Sequence, residues 1–137
     1  MSYRLCAFAD EADPQLDGQI RALRRNGIAL LELRGVDGVN VADLTADKAR
    51  DIRARLDDAG IAVWSIGSPT GKIRLADDFV PHLDSFRRML DTARIFGASH
   101  FRLFSFYEAC GERGEVIDRL GALCDAARGS GIQLCHE

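Results

Sequence analysis

Ionisable and polar side chains recur in this chain directly after short apolar runs. The groups are Asp10 with Glu11, Arg34, residues 67–72, residues 105–108, and His136 with Glu137. Carboxylates can move protons or hold a divalent cation, and lysine or arginine can bind an anionic substrate group. Glu137 is the first candidate for chemistry, because it ends the last apolar run and stands beside an imidazole.

A repeated pattern of helix and strand explains why these groups follow apolar runs. Gly27, Gly60, Gly97 and Gly131 stand 33 to 37 residues apart, and each precedes an apolar run. Glycine closes a helix in the left-handed conformation, and a repeat of this length is the size of one βα unit. The pattern predicts five strands, near residues 3–8, 29–33, 62–66, 100–104 and 131–137.

Four amphipathic helices are predicted between these strands. Asp13 before Pro14, Thr45, and Asp78 with Pro81 close behind it are signals for helix starts. Residues at helical spacing share one face, so we expect each apolar stripe to be buried. The four stripes are Leu16, Ile20 and Leu23; Ala49, Ile52, Leu56 and Ala59; Leu83, Phe86, Leu90 and Ala93; and Ile117, Leu120, Cys124 and Ala127.

Short apolar strands that alternate with helices indicate a parallel sheet covered by helices. Two architectures fit the pattern. One is a (β/α)8 barrel, of which this chain would be about four βα units and a fifth strand, and the other is a complete open parallel α/β sheet. The polar groups after the strands favour the barrel, because barrel enzymes place their sites at that face. We therefore expect residues 1–137 to be a single α/β domain, the N-terminal part of a longer TIM barrel.

Two charged residues interrupt apolar strands at matching positions. Glu32 lies five residues after Gly27, and Arg102 lies five residues after Gly97. Alternate strands of a barrel contribute side chains to the same interior layer, so Glu32 and Arg102 are predicted to form an interior ion pair. The alternative is that each side chain points to the helix layer and reaches solvent.

Composition argues against several classes of function. A net charge of −3 gives no basic surface for nucleic acid or an anionic membrane, and no apolar run is long enough to span a bilayer. The four cysteines lack the spacing of a metal site. Cys6 and Cys135 fall in apolar strand runs and Cys124 on a helix stripe, so we expect buried, unreactive thiols and a reducing, cytoplasmic setting.

The segment GSPTGK, residues 67–72, does not match a phosphate-binding P-loop. Three residues rather than four separate its glycines, and Ile73 follows Lys72. As part of a barrel loop, Lys72 would still bring a cation near a substrate oxygen or phosphate, with Ser68 as a hydrogen-bonding partner. A solvated loop lysine is the alternative. Phe106 and Tyr107 could line a sugar pocket or belong to the core.

Five stretches of the sequence resemble the xylose isomerase-like TIM barrels of the sugar phosphate isomerase/epimerase superfamily. They are FADEAD (8–13), LELRGV (31–36), SIGSPTGKI (65–73), FRLFSFY (101–107) and LCHE (134–137). The resemblance implies one divalent metal ion (Mn, Mg, Zn or Co) at the barrel mouth, held by Glu, Asp, His and Glu from late strands. By position, Glu137 matches the first of these ligands, and the other three would lie beyond residue 137.

Three functions compete on this basis. The first is a metal-dependent isomerase or epimerase of a small sugar, sugar phosphate or hydroxy-keto acid, with Glu137 as metal ligand and proton-transferring carboxylate. The second is a non-catalytic half-barrel or interaction fragment. The third is the superfamily's lesion-directed endonuclease, which is disfavoured because no histidine ends the third or fourth strand. For the first function, the expected substrate-binding residues are Glu32, Ser68, Lys72, Arg102 and Tyr107.

The chain by itself is expected to be inactive and not to remain a free monomer. Five strands of a barrel leave two sheet edges unpaired and uncover inward apolar faces. The expected partners are a small sugar substrate and either a second copy of the chain or the missing C-terminal half of the barrel.

Overall fold

The computed structural model describes residues 3–137, in which strands and helices alternate along the chain. None of the helices in this range is long and apolar enough to cross a membrane. In chain order the elements are β1 (Cys6–Ala7), α1 (Leu16–Arg25), β2 (Leu30–Leu33), β3 (Gly35–Val36), β4 (Val39–Asn40), a 3-10 helix (Val41–Asp43), α2 (Ala46–Asp58), β5 (Ala62–Gly67), α3 (Phe79–Phe96), β6 (His100–Leu103), α4 (Arg113–Ala127) and β7 (Gln133–His136).

The main sheet has the strand order expected for part of a barrel. Its five strands run parallel in the order β1-β2-β5-β6-β7, so each crossover adds the next strand to the same edge. An open doubly wound sheet instead reverses direction at a switch point. Right-handed crossovers taken always in one direction leave the helices on one face of the sheet. The other face is therefore the one that a closed barrel would enclose.

Alternation along the strands separates these two faces. Leu31 and Leu33 of β2 are buried, and Phe101 of β6 meets Phe86 of α3 edge-on, with ring centroids 5.1 Å apart. Successive residues of a strand point to opposite faces. Glu32, between the two leucines, therefore points to the face that is free of helices.

Most of the predicted helix stripes are buried, and Thr45 and Asp78 cap α2 and α3 through side-chain hydrogen bonds. The prediction is wrong for part of α4, where Ile117 and Cys124 are exposed and Leu123 is buried instead. Helix α3 packs against α4, and it leaves Ile117 and Cys124 exposed. The buried stripe members are Leu16, Leu23, Ala49, Ile52, Leu56, Phe86, Leu90, Ala93 and Ala127.

The expectation of buried thiols is also wrong at the chain's two ends. Cys6 is exposed and Cys135 is only half-buried. Cys6 lies on β1, whose sheet partner is β2 alone, and Cys135 lies on β7, whose partner is β6 alone. Side chains on these edge strands lack the neighbours that a closed barrel would supply.

Helix α1 begins later than predicted. Asp13 is not its N-cap, because the helix starts at Leu16 after Gln15. The Asp13 carboxylate accepts a hydrogen bond from the Gln15 N–H at 2.8 Å, and the Pro14 carbonyl accepts one from the Asp37 N–H at 2.7 Å. These two bonds hold residues 13–15 in a turn and tie it to the segment that follows β2.

The loop after β5 is fastened to α3 through an imidazole. The Gly71 N–H donates to Nε2 of His82 at 2.8 Å, which requires that nitrogen to be unprotonated. Burial lowers the pKa of His82, and the nearby Arg119 cation lowers it further. Gly71 has φ +90°, and a Cβ there would lie 2.0 Å from the Phe104 carbonyl oxygen. The loop therefore has little room to change its path.

We expect the His82 bond to make stability depend on pH. Its folded-state pKa is lowered, so the unfolded chain binds more protons below the ordinary histidine pKa of about 6.5. The free energy of unfolding, measured with urea from pH 8 to 5, should therefore fall as the pH drops below that value. His82→Phe should cost about 1–3 kcal/mol at pH 8 by leaving the Gly71 N–H unpaired.

The His82→Phe variant should also lose most of this pH dependence. The control is Val80→Ala, which changes an exposed, non-titrating side chain on the same helix and should keep the slope of the parent protein. An unchanged slope in His82→Phe would contradict the interpretation.

Candidate active site

A cleft opens at the carboxyl ends of β1, β2, β5, β6 and β7, where the sequence predicts the site. Its volume is about 340 Å³, and we name it the Arg102 cleft after its most connected side chain. The lining residues are Phe8, Glu11, Arg34, Asn40, Gly67, Ser68, Pro69, Lys72, Arg102, Phe104 and Glu137.

Arg102 of β6 joins two carboxylates from different strands. Its Nε lies 2.6 Å from Glu32 Oε1, and its Nη1 lies 2.6 Å from Glu137 Oε2. The side chains of Arg102 and Glu32 are only 13% and 16% exposed, whereas that of Glu137 is 59% exposed. The predicted pair of Glu32 and Arg102 is thus present, and Glu137 is an additional partner that the sequence analysis did not foresee.

The Glu32–Arg102 pair crosses over the intervening strand β5, and Gly67 makes room for it. A Cβ on Gly67 would lie 3.1 Å from both the Arg102 guanidinium and the Glu32 carboxylate. A larger side chain would therefore push between the two charges. Because Gly67 has no side chain, β5 does not separate Glu32 from Arg102.

Two aromatic rings flank the buried guanidinium. The Cζ atom of Arg102 lies 5.1 Å from the centre of the Phe8 ring and 4.9 Å from that of Phe104. The faces of aromatic rings attract cations, and their bulk keeps water away. Phe8 and Phe104 follow β1 and β6 directly, and the sequence analysis missed both.

Lys72 is the cation of the cleft whose charge has no carboxylate partner among residues 3–137. Its Nζ lies 4.2 Å from the centre of the Phe104 ring. The loop that carries it is fixed, because the Phe104 N–H donates to the Thr70 carbonyl at 2.8 Å and His82 holds Gly71. The ammonium group is therefore presented to the cleft from a rigid segment.

Ser68 lines the cleft, but its hydroxyl is already used. It donates to the Arg102 carbonyl at 2.6 Å and accepts from the Thr70 N–H at 3.1 Å. Ser68 is also buried. Its observed contacts hold the Lys72 loop against β6, and the substrate contact expected of it stays a prediction.

Arg34 forms a second charged group on the other side of the cleft. Its Nε donates to Asp10 at 2.8 Å and its Nη2 to Glu11 at 3.1 Å. The hydrogen bond to Asp10 raises the pKa of Arg34 against the opposing effect of burial, and the charge of Asp10 and the contact with Glu11 raise it further. The sequence places these three residues after the first two strands, and the structure brings them together.

Tyr107 is not brought into the cleft. It is exposed and is not among the residues that line the cleft, and its backbone pairs with residues 73 and 75 beside the bridge at Arg74. His136 does not line the cleft either. Its Nε2 lies 2.6 Å from the Ser105 hydroxyl. Glu137 is held at the end of β7, because its N–H donates to the Leu103 carbonyl at 3.0 Å.

The described residues do not form a metal site by themselves. Within residues 3–137 no group of three or more His, Cys, Asp or Glu side chains could hold a metal ion. Glu137 offers one oxygen, Oε1, that is not bonded to Arg102. A divalent cation needs several such ligands, so further ligands would have to come from outside this part of the chain.

Residues 20–137 match the sequence model of a protein family described as xylose isomerase-like TIM barrel. No curated protein matches the chain in sequence.

Solved structures with the same fold are similar over nearly the whole chain. The probable 3-DHS dehydratase AsbF of Bacillus anthracis has a TM-score of 0.74 and 18% identity, over 99% of this chain and 52% of that one. A xylose isomerase-like TIM barrel protein of Mycobacterium smegmatis in complex with magnesium has a TM-score of 0.67 and 23% identity, over 91% and 48%. A D-psicose 3-epimerase crystallised in the presence of D-fructose has a TM-score of 0.65 and 18% identity, over 90% and 47%. The chain therefore spans about half the length of these structures.

The three-way contact at Arg102 predicts unequal effects for its partners. Arg102→Met leaves the nearly buried Glu32 carboxylate unpaired and should cost about 3–5 kcal/mol. Glu32→Gln leaves Arg102 with Glu137, so its cost should be smaller, about 1–3 kcal/mol. The double variant should recover part of the combined loss. The measurement is the free energy of unfolding in urea.

Surface ion pairs of the same chain provide the control. Arg87 and Asp84 on α3 are both exposed, and Arg87→Met should change stability by less than about 1 kcal/mol. Strictly additive losses for Glu32→Gln and Arg102→Met would show that the two charges are not coupled.

Proposed function

The chain belongs to the xylose isomerase-like TIM barrel family, and from this we propose that it carries one half of the active site of a metal-dependent sugar isomerase or epimerase. The proposed substrate is a small sugar, sugar phosphate or hydroxy-keto acid with an anionic or strongly polar end. The observation that carries the proposal is Glu137, fixed at the end of β7 with one carboxylate oxygen towards Arg102 and the other free.

The family gives context for this choice. Two structural neighbours are named as enzymes, a probable dehydratase and an epimerase, and one was crystallised with magnesium. The endonuclease alternative is less well supported, because no histidine stands at the carboxyl ends of β5 or β6. A cytoplasmic location remains a prediction.

We propose that Glu137 provides one ligand to a divalent ion in the complete protein. Such an ion would polarise the substrate carbonyl and its neighbouring hydroxyl. The remaining ligands would come from residues beyond 137. Arg102 would orient the Glu137 carboxylate, and Glu32 would in turn fix Arg102.

The chain's own residues would do three further things in the reaction. Lys72 would bind the anionic end of the substrate, because its charge lacks a carboxylate partner in residues 3–137. Glu137 would take the proton from the carbon next to the carbonyl and, in an isomerisation, return it to the adjacent carbon. In an epimerisation a second acid, from residues beyond 137, would have to supply the proton to the opposite face. Phe8 and Phe104 would keep water from the guanidinium that holds Glu137.

A non-catalytic half-barrel is the second candidate function. The edge strands β1 and β7 and the exposed Trp64 on the helix-free side favour association with a second copy or with the missing half of the barrel. The experiment below separates the two functions, because a non-catalytic protein would exchange no substrate protons.

Proton exchange tests the proposed chemistry directly. We expect the full-length protein with Mn²⁺ in D₂O to incorporate deuterium next to the carbonyl of D-fructose, D-fructose 6-phosphate or hydroxypyruvate, as followed by NMR. Glu137→Gln should slow the exchange by about 10²–10⁴-fold, the usual contribution of a positioned acid or base. Glu108→Gln, an exposed carboxylate after β6, is the control. No exchange with all three compounds, or equal rates in both variants, would contradict the proposal.

The charge of Lys72 should set the preference between substrates. Lys72→Ala should raise KM for D-fructose 6-phosphate about ten- to a hundredfold, because a charge-assisted hydrogen bond is lost. KM for D-fructose should change little. Arg87→Ala, which removes an exposed cation paired with Asp84 on α3, away from the cleft, is the control. An equal change in KM for both sugars in Lys72→Ala would contradict this role and would indicate that Lys72 is a solvated loop residue.

A further inference from the structure

The turn that carries Lys72 is attached to α3 through His82. Residues 69–72, which we name the Lys72 turn, are closed by a hydrogen bond of 2.9 Å from the Lys72 N–H to the Pro69 carbonyl. The N–H of the preceding residue, Gly71, donates to Nε2 of His82 at 2.8 Å. The hydrogen bond to His82 therefore acts on the residue directly before Lys72.

His82 itself stands outside the Arg102 cleft, because it is not among the residues that line it. The imidazole is half-buried, and its centre lies 6.3 Å from that of the Phe79 ring and 6.5 Å from that of the Phe106 ring. The guanidinium of Arg119 on α4 lies over the same two rings, with Cζ 5.1 and 5.5 Å from their centres. These contacts give the imidazole a fixed position against α3, α4 and the segment after β6.

The surroundings of His82 favour its neutral form, in which Nε2 can accept a hydrogen bond. Burial lowers the pKa of His82, and the positive charge of Arg119 lowers it further. Three carboxylates near the starts of α3 and α4 have other partners: Asp77 binds Arg74, Asp78 accepts from the Val80 N–H, and Glu115 binds Arg119. These carboxylates therefore do not hold a proton on the ring, and the hydrogen bond from Gly71 is present near neutral pH.

Protonation of His82 would break the attachment of the Lys72 turn. It would place an N–H of the ring against the Gly71 N–H, and two donors cannot stay 2.8 Å apart. Gly71 has no room to adjust by itself, because even a Cβ there would lie 2.0 Å from the Phe104 carbonyl oxygen. The turn would therefore move as a unit and take Lys72 with it. The Lys72 ammonium group, whose Nζ lies 4.2 Å from the centre of the Phe104 ring, would lose its place at the cleft.

We propose that His82 is a positioning residue for Lys72. Its neutral imidazole accepts the Gly71 N–H and so keeps the Lys72 ammonium group at the Arg102 cleft, where it binds the anionic group of a substrate. Binding is stronger when the binding group needs no further ordering. His82 thus sets the preference for phosphorylated over neutral sugars without contact with either. The inference rests on the proposed function in one respect, that Lys72 binds the anion.

Calorimetric binding of D-fructose 6-phosphate and D-fructose to the full-length protein with Mn²⁺ tests this role. The ratio of the two dissociation constants is the anion preference. At pH 8, His82→Phe should reduce this preference about three- to tenfold, the effect of one lost hydrogen bond, and should leave the binding of D-fructose unchanged. His82→Gln should retain the parent preference, because its amide oxygen can accept the Gly71 N–H. Val80→Ala, an exposed change on the same helix, is the control.

The pH profile separates positioning from a merely structural role. In the parent protein the anion preference should fall as the pH drops from 8 to 5, because His82 becomes protonated below the ordinary histidine pKa of about 6.5. The sugar phosphate itself loses charge at about pH 6. That loss is the same for His82→Gln, so this variant is the reference. The parent should lose about three- to tenfold more preference than His82→Gln over this range.

A double variant shows whether His82 acts through Lys72. In the Lys72→Ala background, His82→Phe should have no further effect on the affinity for D-fructose 6-phosphate, because the two changes remove the same contact. A structural effect of His82 on the whole protein would instead weaken the binding of both sugars and persist without Lys72.

Three results would overturn the inference. They are identical pH profiles of the parent and His82→Gln, equal weakening of both sugars by His82→Phe, and a full effect of His82→Phe in the Lys72→Ala background. If His82→Phe does not fold, the comparison of the parent with His82→Gln decides. A parent protein without anion preference would contradict the role of Lys72 and the inference together. Loss of proton exchange with an intact, His82-dependent anion preference would contradict only the proposed chemistry and would support the positioning role.

Discussion

The burial of one guanidinium constrains much of this half-barrel. The Arg102 side chain is only 13% exposed, and a charge with so little access to water must be paired. Its two carboxylates come from β2 and β7, so the register of three strands has to agree for the network to close. The sheet order meets this need, because β6 lies between β5 and β7 and is separated from β2 by a single strand.

The strand between the two charges is adapted to the same constraint. The pairing of β2 with β5 shifts by one residue between Leu31 and Glu32, so Glu32 stands opposite Ser65. Further along β5, Gly67 stands opposite Arg102 and has no side chain to obstruct the contact. A bulge and a glycine, which both weaken a strand locally, are here the features that let the ion pair cross it.

The sequence predicts the parts of this structure that repeat and misses the parts that occur once. Glu32 and Arg102 could be paired from the sequence because each follows its glycine at the same distance, and the structure confirms that pair. Its link to Glu137 depends on how far a long side chain reaches across strands, which no spacing reports. The β3–β4 hairpin carries an Asp-Gly turn signal, but its two-residue strands are too short to show periodicity. The burial expected for Cys124 failed because periodicity gives a helix face and not the neighbour that covers it.

The charges of the cleft suggest how metal and substrate would support each other. Arg102 and Arg34 each contact two carboxylates, and Lys72 contacts none within residues 3–137. Three cations therefore stand against four carboxylates, a formal excess of one negative charge. A divalent cation bound next to Glu137 would offset negative charge at that end of the cleft, which would favour an anionic substrate there. The two arginines are already neutralised by carboxylates, so they would fix the positions of those carboxylates. Lys72 would attract the anionic substrate. On this account the affinity for an anionic substrate should depend on the metal, although Lys72 itself touches no metal ligand.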